Sequence, residues 1–296
     1  MKKGKRRIRL GACLLMIAFI ALIAAELFYS AYSLKVSRYE VESPKLTAAM
    51  RIVFLSDLHG RSFGRGNRRL LEMIEAEQPD VIALVGDFFN EKAKEREIER
   101  VCGFIGEAAK IAPVYFGLGN HEYFYVKRVD ASLTERIAEA GAVVLEREYV
   151  DTEINGSRIR IGGYSGYYRT PHMNSADVEQ QAADWRFFAD FEDTESFKLL
   201  LDHVPTNWLD WEYRDKVPVD LVLSGHYHGG IIRIPFVDKG LYAPYVGWFP
   251  PYTKGMFEGE KATCILTTGL AGANGIPRFF NPPEIVVVDV VPSGEQ

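Results

Sequence analysis

Cysteine is scarce: the 296 residues hold three, Cys13, Cys102 and Cys264, far apart in the chain. That is too few and too scattered for a disulfide framework or a zinc site built from thiolates. Positive charge is scarce too once the first nine residues are set aside. Six of the 35 Lys and Arg residues stand within 2–9, and of the 40 acidic residues only Glu26 precedes residue 27. Residues 27–296 therefore hold 29 basic against 39 acidic side chains, a net charge of −10. An acidic body speaks against general nucleic-acid binding, which needs basic surface to displace counterions, so no nucleic-acid partner is expected. No repeat or low-complexity tract is visible, which excludes fibrous and largely disordered classes. With 47% hydrophobic and 25% charged residues the composition is ordinary for a globular chain, long enough for one large domain or two small ones.

What is there begins with a long apolar run. Leu10 to Ala25 carries no charge, Glu26 interrupts it, and Leu27 to Tyr32 resumes it. A bilayer core takes about 20 apolar residues as helix. The expected organisation is a basic cytoplasmic N-terminus at 1–9, a transmembrane signal-anchor at 10–32, a linker at 33–47 and a folded domain at 48–292. Glu26 then lies near the far interface, and Tyr29 and Tyr32 fit an interfacial aromatic belt. Six positive charges precede the run, and only Lys35, Arg38 and Lys45 follow soon after it. This bias predicts a single-pass cell-membrane protein with its body outside the cytoplasm. A cleaved signal peptide, cut near Ile23-Ala24-Ala25, is the alternative.

The body reads as strands alternating with helices. Apolar runs at 52–55, 81–85, 114–116, 143–145, 158–161, 198–201, 219–223, 264–267 and 285–291 predict strands. Asn67–Glu77 and Glu91–Ile111 have helical spacing. Residues 165–195 and Leu241–Phe257 read as irregular and aromatic. Such an order predicts layered α/β architecture, whose sites form from loops at the carboxyl ends of strands.

Five of the six histidines sit in such loops. The strand ending at Leu55 is followed by Ser56-Asp57-Leu58-His59-Gly60, and that ending at Val85 by Gly86-Asp87-Phe88-Phe89-Asn90. Phe116 leads into Gly117-Leu118-Gly119-Asn120-His121-Glu122, and Leu201 into Asp202-His203-Val204-Pro205. Leu223 leads into Ser224-Gly225-His226-Tyr227-His228-Gly229-Gly230. Asp57 and His59 are two apart, as are His226 and His228, so in extended chain each pair leaves one face and can grip an ion. Carboxylate, imidazole and amide oxygen donors suit divalent Mn, Fe or Zn. Singly, an Asp-x-His or a Gly-Asp is most often a plain strand end; five such segments in order are not. His172 has no such company and reads as an ordinary loop histidine.

The ordered set resembles the calcineurin-like metallophosphoesterases, whose pattern is D-x-H, G-D-x-x-[DN], G-N-H-[DE], a lone histidine and G-H-x-H. The resemblance covers about residues 48–292. The stretches Gly240–Pro244 and Arg278–Ile285 are similar to a bacterial membrane-tethered branch, itself similar to UDP-2,3-diacylglucosamine hydrolases. It implies a four-layer α/β/β/α sandwich and two divalent metal ions. Asp57, His59 and His228 would hold one ion and Asn120, His203 and His226 the other, with Asp87 bridging. His121 would face the phosphate as the catalytic group. The implied reaction is hydrolysis of a phosphodiester or pyrophosphate by metal-activated water, on a lipid or envelope substrate. Alternatives are a nuclease or phosphomonoesterase of the same fold, or a non-catalytic metal-stabilised binding module. Two departures stand out: Ile231 replaces a common glutamine, and Phe88-Phe89-Asn90-Glu91 lacks the Asp-Arg-Gly of protein Ser/Thr phosphatases.

Overall fold

The computed structural model describes residues 2–165, 175–209, 213–244, 246–273 and 275–294. It opens with helix α1 (Lys2–Tyr32). Strands β1 (Lys35–Ser43), β2 (Met50–Leu55), β3 (Val81–Val85), β4 (Val114–Gly117) and β5 (Ala142–Leu145) follow. Next come β6 (Glu148–Ile154), β7 (Ser157–Tyr164), β8 (Phe197–Asp202) and β9 (Leu221–Ser224). The last long strands are β10 (Gly255–Glu258), β11 (Thr263–Leu266) and β12 (Glu284–Pro292). They form two six-stranded sheets, in the orders β1-β12-β2-β3-β4-β5 and β10-β11-β9-β8-β7-β6.

Period-2 alternation explains how the sheets stack. Ile52, Phe54, Val81, Ala83 and Val85 point inward, against Ile159, Ile161, Leu199, Leu201, Leu221 and Leu223 of the other sheet. Their alternates Val53, Leu55, Ile82 and Leu84 point outward, under helices α2 (Arg68–Ala76) and α3 (Glu95–Ala108), which contribute Leu70, Ile74, Ile98, Val101 and Ile105. With both faces covered, parallel strands carry unbroken apolar runs such as Val81-Ile82-Ala83-Leu84-Val85. Two further helices, α4 (Asn120–Arg128) and α5 (Leu133–Glu139), lie between β4 and β5. On the outer face of the second sheet, Leu200, Val222 and Leu266 meet Phe187, Phe188 and Phe191 of α6 (Ser175–Glu192) and Trp208 of α7 (Thr206–Leu209). The result is the expected α/β/β/α sandwich.

Four expectations change. Residues 33–47 are not a free linker: Lys35–Ser43 is a strand, paired in parallel with Glu284–Pro292 over nine residues. Its mixed sequence Lys-Val-Ser-Arg-Tyr-Glu-Val-Glu-Ser suits an edge strand exposed on one side, which is why it reads as polar spacer. The helix expected from Glu91 starts at Glu95, because the Asn90 amide and side chain bond Glu97 Oε1 at 2.9 Å and the Glu91 amide is drawn to His121. The stretch 165–195 contains α6. Leu241–Phe257 contains a short ladder, Tyr242–Ala243 against Gly247–Trp248, and part of β10.

Helix α1 carries the apolar stretch Leu10–Tyr32, 23 residues of mean hydropathy 2.5, exposed over most of its length, with Ser30 near its end buried against the body. At 1.5 Å per residue it reaches about 34 Å, enough to cross a bilayer core.

Candidate metal centre

Strands β2, β3 and β4 run parallel, with Leu55 opposite Leu84 and Val85 opposite Gly117, so their carboxyl ends finish level. In the second sheet β8 and β9 do the same, with Leu201 opposite Leu223. The five loops picked out from sequence therefore open at one edge of the sandwich. His59, Asp87, Asn120, His121, His226 and His228 line one cavity there of about 200 Å³. Asp57 and His203 are fully buried within the same cluster. His172 lies outside the described residues.

The backbone is bent to achieve this. Asp57, His59, Asp87, His226 and His228 all have left-handed φ, between 46° and 70°. Such conformations cost non-glycine residues roughly 1–3 kcal/mol each and persist only where the surroundings enforce them. Here the Asp57 amide donates to Gly86 O (3.0 Å), His59 to Asp87 O (2.8 Å) and Gly60 to Phe88 O (2.7 Å). These bonds stitch the first two loops together. Gly86 is required by crowding as well as by its φ of 68°: a Cβ there would come within 2.6 Å of Gly119 Cα and 2.7 Å of His203 Cγ.

The donor atoms of Asp57, His59 and His228 lie within 4.8 Å of one another, and so do those of Asp87, His203 and His226. Asp87 Oδ2 is 3.2 Å from His203 Nε2 and 3.8 Å from His59 Nε2, so it stands between the two groups. Asp57 Oδ1 is 3.5 Å from His228 Nε2. His59 Nε2, His203 Nε2 and Asn120 Oδ1 are buried without a hydrogen-bond partner. Buried orphaned donors and acceptors are costly and call for an explanation. Three of them converging on two carboxylates fit divalent cations.

Ring orientation separates His121 from His203 and His228. Nδ1 of His203 faces Val85 O at 2.9 Å and Nδ1 of His228 faces Ala271 O at 3.0 Å. A carbonyl only accepts, so both rings carry a proton on Nδ1 and turn Nε2 inward, the atom with which a histidine so oriented ligates a metal. His121 is reversed. The Glu91 amide donates to its Nδ1 at 3.2 Å, so the neutral ring carries its proton on Nε2. That Nε2 lies 3.8 Å from Asp87 Oδ2, and the side chain is 25% exposed, whereas His203 is 1% exposed. The donor atoms of His59, Asp87 and His121 also lie within 4.8 Å of one another. The opposed ring orientation sets His121 apart from His203 and His228.

The electrostatics follow. Burial disfavours a charged ring at His203, but Asp87 and Asp57 overcome it and raise its pKa to about 10. Burial dominates at His59 and His226, pushing them down to about 4 and about 3. Burial alone would raise Asp87; the neighbouring His203 and His121 instead hold its carboxyl well below the usual range. The site is a pair of buried carboxylates that demands a cation.

Three residues that position the centre escaped the sequence reading. Glu122, fully buried, accepts the amides of Asp87 (2.8 Å), Phe89 (2.9 Å) and Gly119 (2.9 Å), clamping two loops together. Burial and the neighbouring Asp87 carboxylate raise its pKa. Its place three residues after Gly119 at a helix start was a readable capping signal. Arg278 is buried among carbonyls and donates to Ala271 O at 2.5 Å and Thr268 O at 2.9 Å; burial lowers its pKa to about 9. It thereby fixes the carbonyl that orients His228. The Asn281 amide group donates to His228 O (2.8 Å) and Ile231 O (3.0 Å). Nothing in the sequence around these two announces those bonds.

Known proteins are similar to this chain. An uncharacterised metallophosphoesterase of Aquifex aeolicus is 29% identical, over 93% of this chain and 99% of that one. The uncharacterised metallophosphoesterase YkoQ of Bacillus subtilis is 29% identical over 63% of each chain, so this chain spans less than two thirds of that relative. A zebrafish (Danio rerio) transmembrane protein with metallophosphoesterase domain is 24% identical over 82% of this chain and 53% of its own length. Residues 50–230, which span all five loops, match the calcineurin-like phosphoesterase family, and the chain belongs to it.

Proposed function

We propose that this chain is a membrane-anchored phosphoesterase that hydrolyses a phosphodiester or pyrophosphate bond, on a lipid-linked or envelope substrate like that of UDP-2,3-diacylglucosamine hydrolases. Asp57, His59 and His228 would hold one divalent ion and Asn120, His203 and His226 the other, with Asp87 within reach of both groups. Bound there, two such ions supply Lewis-acid activation of water and offset charge on the phosphoryl oxygens.

The chain's own residues do the rest. Val85 O and Ala271 O keep the Nε2 atoms of His203 and His228 turned inward. The Glu91 amide keeps the Nε2–H of neutral His121 aimed into the cavity, where it donates a hydrogen bond to a phosphoryl oxygen; the ring protonates the leaving oxygen only after it takes up a second proton and releases the Glu91 amide. Glu122 holds the Asp87 and Asn120 loops at a fixed spacing. The observation that carries this reading is the reversed polarity of His121 beside histidines oriented as ligands. A binding module has no use for it.

Membrane anchoring rests on α1, whose apolar stretch Leu10–Tyr32 is long enough to span and, among the described residues, meets the body only around Glu26–Tyr32 at its end. The positive charges at 2–9 support a cytoplasmic N-terminus and an outward-facing body. The test is a screen of the purified full-length chain against phosphomonoesters, phosphodiesters and nucleotide-sugar pyrophosphates, with Mn, Zn and Mg. Turnover confined to diesters or pyrophosphates and dependent on the ion is expected. Turnover only of monoesters, or none, contradicts the reading.

A further inference from the structure

Beside the metal cavity lies a second one, of about 260 Å³, lined by Ile231, Ile232, Leu241, Tyr242, Trp248 and Ile276. All six side chains are apolar or aromatic. The two cavities are built from the same three segments. His228 lines the first and Ile231 the second; so it goes for Pro244 and Tyr242, and for Gly275 and Ile276. Ile231, which replaces the common polar residue after the double glycine, is 1% exposed and forms part of this apolar wall. At the rim, Trp248 packs against Tyr242 with ring centroids 5.4 Å apart yet stays 68% exposed, and Phe249 beside it is 66% exposed.

The pocket is also tied to α1. Ile232 bridges to Phe279. The next amide, Phe280, donates to Glu26 Oε1 of α1 at 3.0 Å, and Asn281 donates to Ser30 Oγ at 3.1 Å. Arg69 reaches Tyr32 O at 3.0 Å, and Arg61 hydrogen-bonds Ala31 O. The end of the apolar helix is therefore fastened to the segment that walls the pocket. In the membrane-anchored reading, this holds the pocket beside the bilayer.

Resting on that phosphoesterase reading, we infer that the pocket receives an alkyl chain of the substrate while its phosphate sits at His121 and the carboxylate pair. The substrate class is thus a lipid phosphoester whose chain comes from the adjacent bilayer. Exposed aromatic rings around an apolar recess would be a liability in water; beside lipid they form an entrance. The occupant is an alkyl chain because no charged side chain lines the recess to recognise a sugar or a phosphate.

The test uses the full-length chain in nanodiscs with Mn and a series of 4-nitrophenyl alkyl phosphodiesters, from methyl to decyl. In each, water's oxygen bonds phosphorus and nitrophenolate leaves with the electrons of the broken P–O bond. kcat/KM should rise by up to about four-fold per methylene until the pocket is full. Trp248→Ala and, separately, Ile276→Asn should each collapse the octyl-to-methyl ratio of kcat/KM by at least ten-fold. Trp185→Ala, on α6, should preserve it. Partition of long esters into the nanodisc is common to all variants, so the change in ratio isolates the pocket. Hydrolysis with no length dependence, an unchanged ratio in both pocket variants, or a preference for a nucleoside ester over octyl would overturn the inference and leave the phosphoesterase standing. Failure to hydrolyse any member would overturn the phosphoesterase reading itself.

Discussion

Oδ2 of Asp87 lies 3.2 Å from Nε2 of His203, a histidine that comes from the other sheet of the sandwich. The same oxygen is 3.8 Å from Nε2 of His59, in the first loop. One carboxylate therefore stands where both groups of ligand candidates can reach it. Asp87→Asn should cost more than any other single ligand change, on the order of 10²-fold or more in kcat, since even changes to residues supporting a ligand cost 10–100-fold. Turnover near that of the parent protein would refute the bridging role.

His121 should behave as a proton donor. His121→Ala should keep its metal content and lose about 10²–10⁴ in kcat on esters with poor leaving groups. The loss should shrink for nitrophenyl esters, whose leaving oxygen needs no proton. A parallel fall in bound metal would show that His121 is a ligand after all.

Glu122 should matter for stability first. It accepts three backbone amides without a basic partner, so Glu122→Gln sets an NH₂ against N–H donors. One buried amide loses its acceptor, at a cost of about 1–3 kcal/mol. Thermal unfolding of the full-length variant should show a lowered Tm. An unchanged Tm would mean that the clamp contributes nothing.

Topology has its own test. Lys110 is exposed on the body, while Cys102 and Cys264 are at least partly covered. A membrane-impermeant maleimide added to intact cells should label Lys110→Cys in a Cys13→Ser background. Labelling only after lysis would place the body inside.

The chemistry was legible because metal-ligand candidates cluster in short segments directly after apolar strands, and strand ends finish level. Asp57, His59, Asp87, Asn120, His121, His203, His226 and His228 all meet at one edge. Less legible were elements whose partners are remote. Lys35–Ser43 is a strand only because Glu284–Pro292, some 250 residues later, lies beside it. Arg278 matters through the carbonyls of Thr268 and Ala271, and a carbonyl has no sequence signature. Glu26 reads as an interfacial carboxylate; that Ser30 and the remote Phe280 amide donate to it was not visible. The left-handed backbone at five of the ligand candidates was also invisible, since it depends on amide bonds between loops.

The most direct measurement is metal reconstitution of the chelator-stripped full-length chain, with ion content and phosphodiester turnover followed together. Turnover should rise from near zero and level off at two equivalents of Mn or Zn per chain. Turnover without added ion, or a plateau at one equivalent, would contradict a two-ion centre spanned by Asp87.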